Sequence, residues 1–131
     1  MNHNLLKSLN SFSVRQLELL QRHGFFAVEL GKMSFPEQIA LFRNAELVVG
    51  VHGAGLSHII SMPNAMGVLE ILHPRRFWAT YRALAARGQL HYAFAVGEDP
   101  GPSVEGDSFD FEIKLEKLDH MVNELSRAIK I

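Results

Sequence analysis

The stretch Ala45-Glu46-Leu47-Val48-Val49-Gly50-Val51-His52-Gly53-Ala54-Gly55-Leu56-Ser57-His58 holds the residues whose types and spacing best suit a chemical task, the holding of an anion. Val48, Val49 and Val51 are β-branched and read as a buried strand, and a short helix is expected to begin near Gly55. Three glycines in six positions allow positive φ and let a ligand approach the backbone. A helix opening there points amides and the positive end of its dipole out of the carboxyl edge of a sheet, where a phosphate would sit well. The same glycines have a second reading, in which they serve only close packing between strand and helix. The order Gly50-x-x-Gly53-x-Gly55 is not the dinucleotide fingerprint, and no Gly-Lys-Ser/Thr follows as a P-loop requires.

Other chemistries fit these residues poorly. Gly55-Leu56-Ser57-His58-Ile59 begins like a nucleophile elbow but lacks its second glycine, and His58 is too close in sequence to turn back onto Ser57. His52 and His58 lack the i, i+4 spacing that puts two ligands on one helix face, and the seven histidines are scattered, so no metal site and no cofactor are expected.

The flanking pattern alternates strand and helix. Residues 13–22 read as a helix capped by Ser11 or Ser13 and stopped by Gly24, with Val14, Leu17 and Leu20, joined by Leu19, as an apolar stripe over Arg15, Gln16, Glu18 and Gln21. A strand over 25–30 follows. Ser34, Pro36 and Glu37 make a capping-box start for a helix to about Arg43, with Ile39, Leu41 and Phe42 facing the sheet. Strands are expected over 46–51, 68–72 and 91–96, and a helix over 77–87. The acidic, Pro/Gly-rich segment 97–107 reads as a mobile loop, 109–113 as extended, and 114–130 as an amphipathic helix. This order predicts an α/β fold, a Rossmann-like parallel sheet of about four strands with helices on both faces, in one domain over 1–131. In such sheets ligands bind beyond the carboxyl ends of the strands, where the Gly50 to Ser57 turn, the Gly31 to Ser34 loop and the segment after Leu72 should meet.

Composition bounds the rest. At 131 residues, 47% hydrophobic and 21% charged, the chain has the makings of one globular core, and its formal net charge of −1 with no basic run argues against nucleic acid. It contains no cysteine, a pattern compatible with a reducing, cytoplasmic setting. No apolar stretch is long enough to cross a bilayer, and the first residues lack the apolar core of a signal peptide.

Three ordered blocks resemble the glycosyltransferase 61 family: Ser34-Phe35-Pro36-Glu37-Gln38 before a helix, Ala45 through Leu56 with its His-Gly-Ala-Gly-Leu, and Val68-Leu69-Glu70-Ile71 followed by Pro74. The likeness extends to Tyr81, Leu84, Ala85, Gly88 and Tyr92, so residues 24–94 form a family-like core. The resemblance implies transfer of a sugar from a nucleotide-sugar donor, commonly a UDP-sugar, to a glycan or other hydroxyl acceptor in polysaccharide biosynthesis. It also implies the C-terminal, donor-binding half of a two-domain GT-B glycosyltransferase. Gly50, His52, Gly53, Ala54, Gly55, Leu56 and Ser57 then become nucleotide-sugar-binding candidates, with amides near Gly53 to Gly55 and the Ser57 hydroxyl holding the diphosphate. Glu70 is expected either to accept from ribose hydroxyls or to face solvent. Arg75 and Arg76 either neutralise the diphosphate or are simply solvated. His52 is a candidate for contacting a phosphate or orienting the sugar, and is the weak catalytic candidate. His58 stands where the family often has an amide residue, which leaves its role open. The acceptor-binding half is not evident before Phe25, so the chain is expected to be a fragment, to work with another polypeptide or as a homodimer, or to have lost catalysis and kept a binding or assembly role.

Overall fold

The computed structural model describes residues 4–7, 12–75, 79–98 and 113–129. Five strands, all parallel, make one sheet: β1 (Asn4–Leu6), β2 (Phe25–Ala27), β3 (Leu47–Val51), β4 (Gly67–Leu72) and β5 (His91–Val96), in the spatial order β2-β1-β3-β4-β5. The helices are α1 (Val14–Arg22), α2 (Phe35–Arg43), α3 (Thr80–Arg87) and α4 (Leu115–Ile129), with a short 3-10 turn at Leu30–Lys32 and an eight-residue 3-10 helix at Ala54–Ser61. The α/β reading therefore holds, with five strands where about four are expected. The additional strand is β1, whose three residues pair on both sides, Leu5 with Phe26 and with Val48. Tertiary pairing makes a strand of a segment too short to show a period of two.

Side chains alternate across the sheet and build a core on each face. Leu6, Leu47, Val49, Leu69 and Ile71 pack against α1 and α4 through Leu19, Leu20, Leu118, Val122 and Leu125. Leu5, Val48 and Val68 pack on the other face against Phe42, Leu56, Ile59, Tyr81 and Ala85 of α2, the 3-10 helix and α3. Helix α4 lies so close to β4 that a Cβ on Gly67 would fall 2.7 Å from Ile129 Cδ1.

Helix starts follow their caps. Ser13 and Gln16 form a capping box at α1, and Gly24, at φ 86°, supplies the left-handed residue just past its end. The stripe on α1 is rotated from the expected one: Val14 is exposed, whereas Gln16 is buried and donates from Nε2 to Ile113 O at 2.8 Å. The cap fixes Gln16 inward, and the buried amide finds a partner ahead of α4. At α2, Ser34 Oγ accepts from Glu37 N at 3.3 Å while Glu37 Oε1 accepts from Ser34 N at 3.0 Å. Replacing Ser34 with alanine should lower stability by about 1 kcal/mol, as loss of a helix cap does, read as an earlier urea midpoint with unchanged slope.

The strand expected over 25–30 ends at Ala27, and the helix expected from 77 is described from Thr80. Arg76, the loop expected beyond Glu98 and the extended segment expected over 109–112 lie outside the described residues. Among the described residues, no helix is long and apolar enough to cross a membrane.

Candidate functional site

The sheet order fixes where a site can form. The chain runs from β1 to β2 on one side and later lays β3 against the other side of β1. The β1/β3 boundary is thus the switch point of this doubly wound sheet, where loops leave in opposite directions and a crevice opens beyond the carboxyl ends. Lys7 follows β1 and the Gly50 to Ser57 turn follows β3, so both stand at that boundary. The turn is tied to its other neighbour by His52 N, which donates to Ile71 O at 2.9 Å.

Within the 3-10 helix the first ladder bond runs from Leu56 N to Gly53 O at 3.0 Å. The amides of Gly53, Ala54 and Gly55 precede that ladder, as the opening amides of any helix do. Ala54 and Ser57 are exposed and Gly53 and Gly55 half-buried. The side chain of Leu56 is fully buried among Phe42, Ile59 and Val68, where it anchors the helix to the sheet.

The glycines act through space rather than through unusual dihedrals. Among the described glycines only Gly24 lies in the left-handed region, and Gly53, at φ 171° and ψ 164°, is extended. What occupies the space is the side chain of Lys7. A Cβ on Gly50 would lie 3.2 Å from Lys7 Cβ, one on Gly53 3.2 Å from Lys7 Nζ, and one on Gly55 2.6 Å from Lys7 Cε and 2.9 Å from Leu30 Cδ1. Lys7 Nζ donates to Val51 O at 3.0 Å. Burial pushes its ammonium below the usual lysine range, opposed by the Glu70 carboxylate.

Glu70 is the second anchor. It stands in register with Gly50 on the neighbouring strand and is fully buried, which overturns the solvent-facing alternative. Its Oε2 lies 2.5 Å from His52 Nδ1, and its Oε1 accepts from Tyr92 OH at 2.5 Å. With both oxygens engaged and no exposed surface, Glu70 presents nothing to a ribose in this structure; it positions His52 instead. A carboxylate only accepts, so Nδ1 is the donor and the imidazole edge carrying Nε2 is directed away from Glu70. Tyr81, on α3, packs its ring 5.0 Å from that of His52. The phenols of Tyr92 and Tyr81 are both pushed up from the ordinary tyrosine value. For Tyr92 the causes are burial first and then its hydrogen bond to Glu70; for Tyr81 they are burial and the charge of Glu70.

The neighbouring loop is fastened by the motif residues of α2. Gln38 Nε2 donates to Leu30 O at 2.7 Å and Met33 O at 3.1 Å, while its Oε1 lies 2.6 Å from His58 Nε2. The His58 ring also packs against Phe35 and Phe42 at 5.5 and 5.4 Å. His58 is therefore structural, joining α2 to the 3-10 helix. Arg75 is exposed after β4, its amide donating to His73 Nδ1 at 3.0 Å. Among the described residues no three His, Cys, Asp or Glu side chains converge as a ligand set.

The sequence thus locates the turn, His52 and Glu70, which the structure brings together, but not Lys7, Tyr92 or the binding of His58 by Gln38. Lys7 gives no signal of its own, because its place is set by the pairing of β1 with β3. Tyr92 sits on the half-buried face of β5, and its link to Glu70 follows only from strand order.

The Glycosyltransferase 61 family model matches residues 15–69. Two relatives named EGF domain-specific O-linked N-acetylglucosamine transferase are similar. One, from Mus musculus, is 34% identical over 89 residues, and the other, from Drosophila melanogaster, is 33% identical over 55. These matches cover 68% and 42% of this chain but span only 15% and 11% of those proteins. Among solved structures, a flavo di-iron protein from Thermotoga maritima superposes with a TM-score of 0.57 over 96% of this chain and 35% of that one. At 14% identity it supports the fold alone.

Proposed function

Since the chain belongs to the glycosyltransferase 61 family through residues 15–69, we propose that it is the donor-binding unit of a glycosyltransferase that moves a sugar from a nucleotide-sugar to a hydroxyl acceptor. The observation that carries this reading is the position of the family-matched turn, which opens a helix at the carboxyl edge of β3, beside the switch point. There the Gly53, Ala54 and Gly55 amides and the Ser57 hydroxyl would receive the donor's diphosphate, and His52, aligned by Glu70, would face it. As the acceptor oxygen bonds to the anomeric carbon, the bond to the terminal phosphate oxygen breaks and its electron pair leaves with the diphosphate. Donors already pointed at the place where this charge grows lower the barrier without reorganising. The acceptor's proton would go to a base on the acceptor side of the cleft.

The names of the relatives point to an N-acetylglucosamine donor, and UDP-activated sugars are the first ligands to try. Titration calorimetry with UDP, GDP and their sugars tests the reading: saturable binding supports it. Failure of all of them favours a non-catalytic binding or assembly module. Gly53→Val is the companion variant. An extended backbone at residue 53 accommodates a β-branched residue, but its Cβ would stand 3.2 Å from Lys7 Nζ and put added bulk into the turn. Nucleotide binding should fall below detection with an unchanged circular dichroism spectrum, and retained affinity would remove the turn from the mechanism.

A further inference from the structure

Resting on the donor-site reading above, we propose that Tyr92 is a positioning residue for His52, acting through Glu70: its hydroxyl commits the buried carboxylate to the histidine rather than to the nearby lysine. Glu70 stands in register with Gly50 on one side and with Phe94 on the other, two residues along β5 from Tyr92. Residues two apart on a strand share a face, so Tyr92 leans along the sheet from its own row and donates to Glu70 Oε1 at 2.5 Å. The second oxygen, Oε2, is left for His52 Nδ1, also at 2.5 Å, on the turn that follows β3. One carboxylate thus ties β4 and β5 to the turn. Glu70 has no exposed side-chain surface whereas that of His52 is 29% exposed, so the imidazole is the end of this chain of hydrogen bonds that reaches solvent.

The carboxylate has a rival partner in Lys7. Gly50 stands between the two, and because it has no side chain nothing on that row separates their charges; a Cβ there would lie 3.2 Å from Lys7 Cβ. The Glu70 charge is felt at the Lys7 ammonium, where it opposes the lowering caused by burial. Even so, the ammonium donates to Val51 O, and both oxygens of Glu70 go to Tyr92 and His52. A buried carboxylate oxygen without a donor is costly, so each oxygen takes the donor within reach. Tyr92 satisfies Oε1 and removes the gain from turning toward the ammonium. Its phenol is pushed up by burial first and then by the bond to Glu70, so it stays protonated and remains a donor at neutral pH. Its ring is placed beside that of Phe94, with centroids 6.3 Å apart.

The test follows the ring nitrogens of His52 by NMR in the full chain, in wild type, Tyr92→Phe and Phe94→Leu. Phenylalanine keeps the ring of Tyr92 and loses only the hydroxyl, whereas Phe94→Leu trims the neighbouring ring and spares the hydrogen bonds. In wild type the His52 proton should sit on Nδ1. In Tyr92→Phe the carboxylate turns toward Lys7 and that signature should be lost; in Phe94→Leu it should persist even as stability falls. Adding Lys7→Met to Tyr92→Phe removes the rival and should restore it. Calorimetry should show UDP binding about 10-fold weaker in Tyr92→Phe with uridine unchanged, as loss of a charge-assisted contact gives. An unchanged His52 signature in Tyr92→Phe overturns the proposal, and so does an equal change in Phe94→Leu, which would reduce Tyr92 to packing. A signature that stays lost in the double variant overturns the rivalry with Lys7 and the proposal with it. Unaltered UDP affinity beside a lost signature would overturn it as well, since the positioning would then serve nothing at the site. If wild type binds no UDP, the donor-site reading falls, and the ring-nitrogen result still decides whether Tyr92 positions His52.

Discussion

Replacing Glu70 with alanine should lower stability by about 3–5 kcal/mol, combining two hydrogen-bond donors left unpaired with the cavity that the lost side chain leaves. Glu70 has no exposed surface, and its loss would strand the Tyr92 hydroxyl and His52 Nδ1 and leave a void beside Tyr81. Against a total of about 5–15 kcal/mol for a domain of this kind, that is about a fifth of the stability or more, a loss that a shifted denaturation midpoint shows plainly. Chemical denaturation of the two proteins checks it directly. Glu70→Gln separates folding from function, because an amide of nearly the same shape fills the cavity and still accepts from Tyr92. Its NH2, however, would donate to His52 Nδ1 and drive the ring proton to Nε2, reversing the tautomer that a carboxylate enforces. Nitrogen chemical shifts of His52 report that reversal. A variant whose ring keeps its proton on Nδ1 would show that Glu70 does not orient His52.

The second large effect is expected at Phe42. Its ring is fully buried on α2, where it meets the His58 ring and packs with Leu56 and Ile59 beneath the turn. Phe42→Ala should cost about 3–5 kcal/mol, combining lost burial with a cavity that neighbours only partly fill. The melting temperature should fall steeply. Because Phe42 supports the 3-10 helix, nucleotide affinity should weaken along with stability, although no ligand touches this residue. A fall in stability with unaltered affinity would mean that the turn keeps its shape without this floor.

What could be read from the residues alone follows from which signals are local. The serine cap of α1, the capping box at Ser34, the stop at Gly24 and the β-branched run into Gly50 each lie within a few residues, and the corresponding elements stand where expected. The period of α4 is equally local, and its helix runs from Leu115 to Ile129. Strand β1 was not legible, because Asn4-Leu5-Leu6 becomes a strand only through partners more than twenty and forty residues away. Gln16 likewise looked like a surface residue until Ile113 O supplied its partner from the far end of the chain. At the site, the glycine turn, His52 and Glu70 were visible as residue types. The meaning of the glycines was not: they make room for a lysine contributed by another strand, and no local pattern carries that information.

The placement of β1 has a consequence for how the molecule can be cut or interrupted. A three-residue strand in the middle of the sheet leaves β2 and β3 joined only through it, and all of their lateral main-chain bonding on that side depends on it. Loss of that one strand would bare two edges at once, each a template for pairing with another chain. Protection of both edges is thus concentrated in one three-residue strand, which also buries Leu5 and Leu6 and delivers Lys7 to the turn.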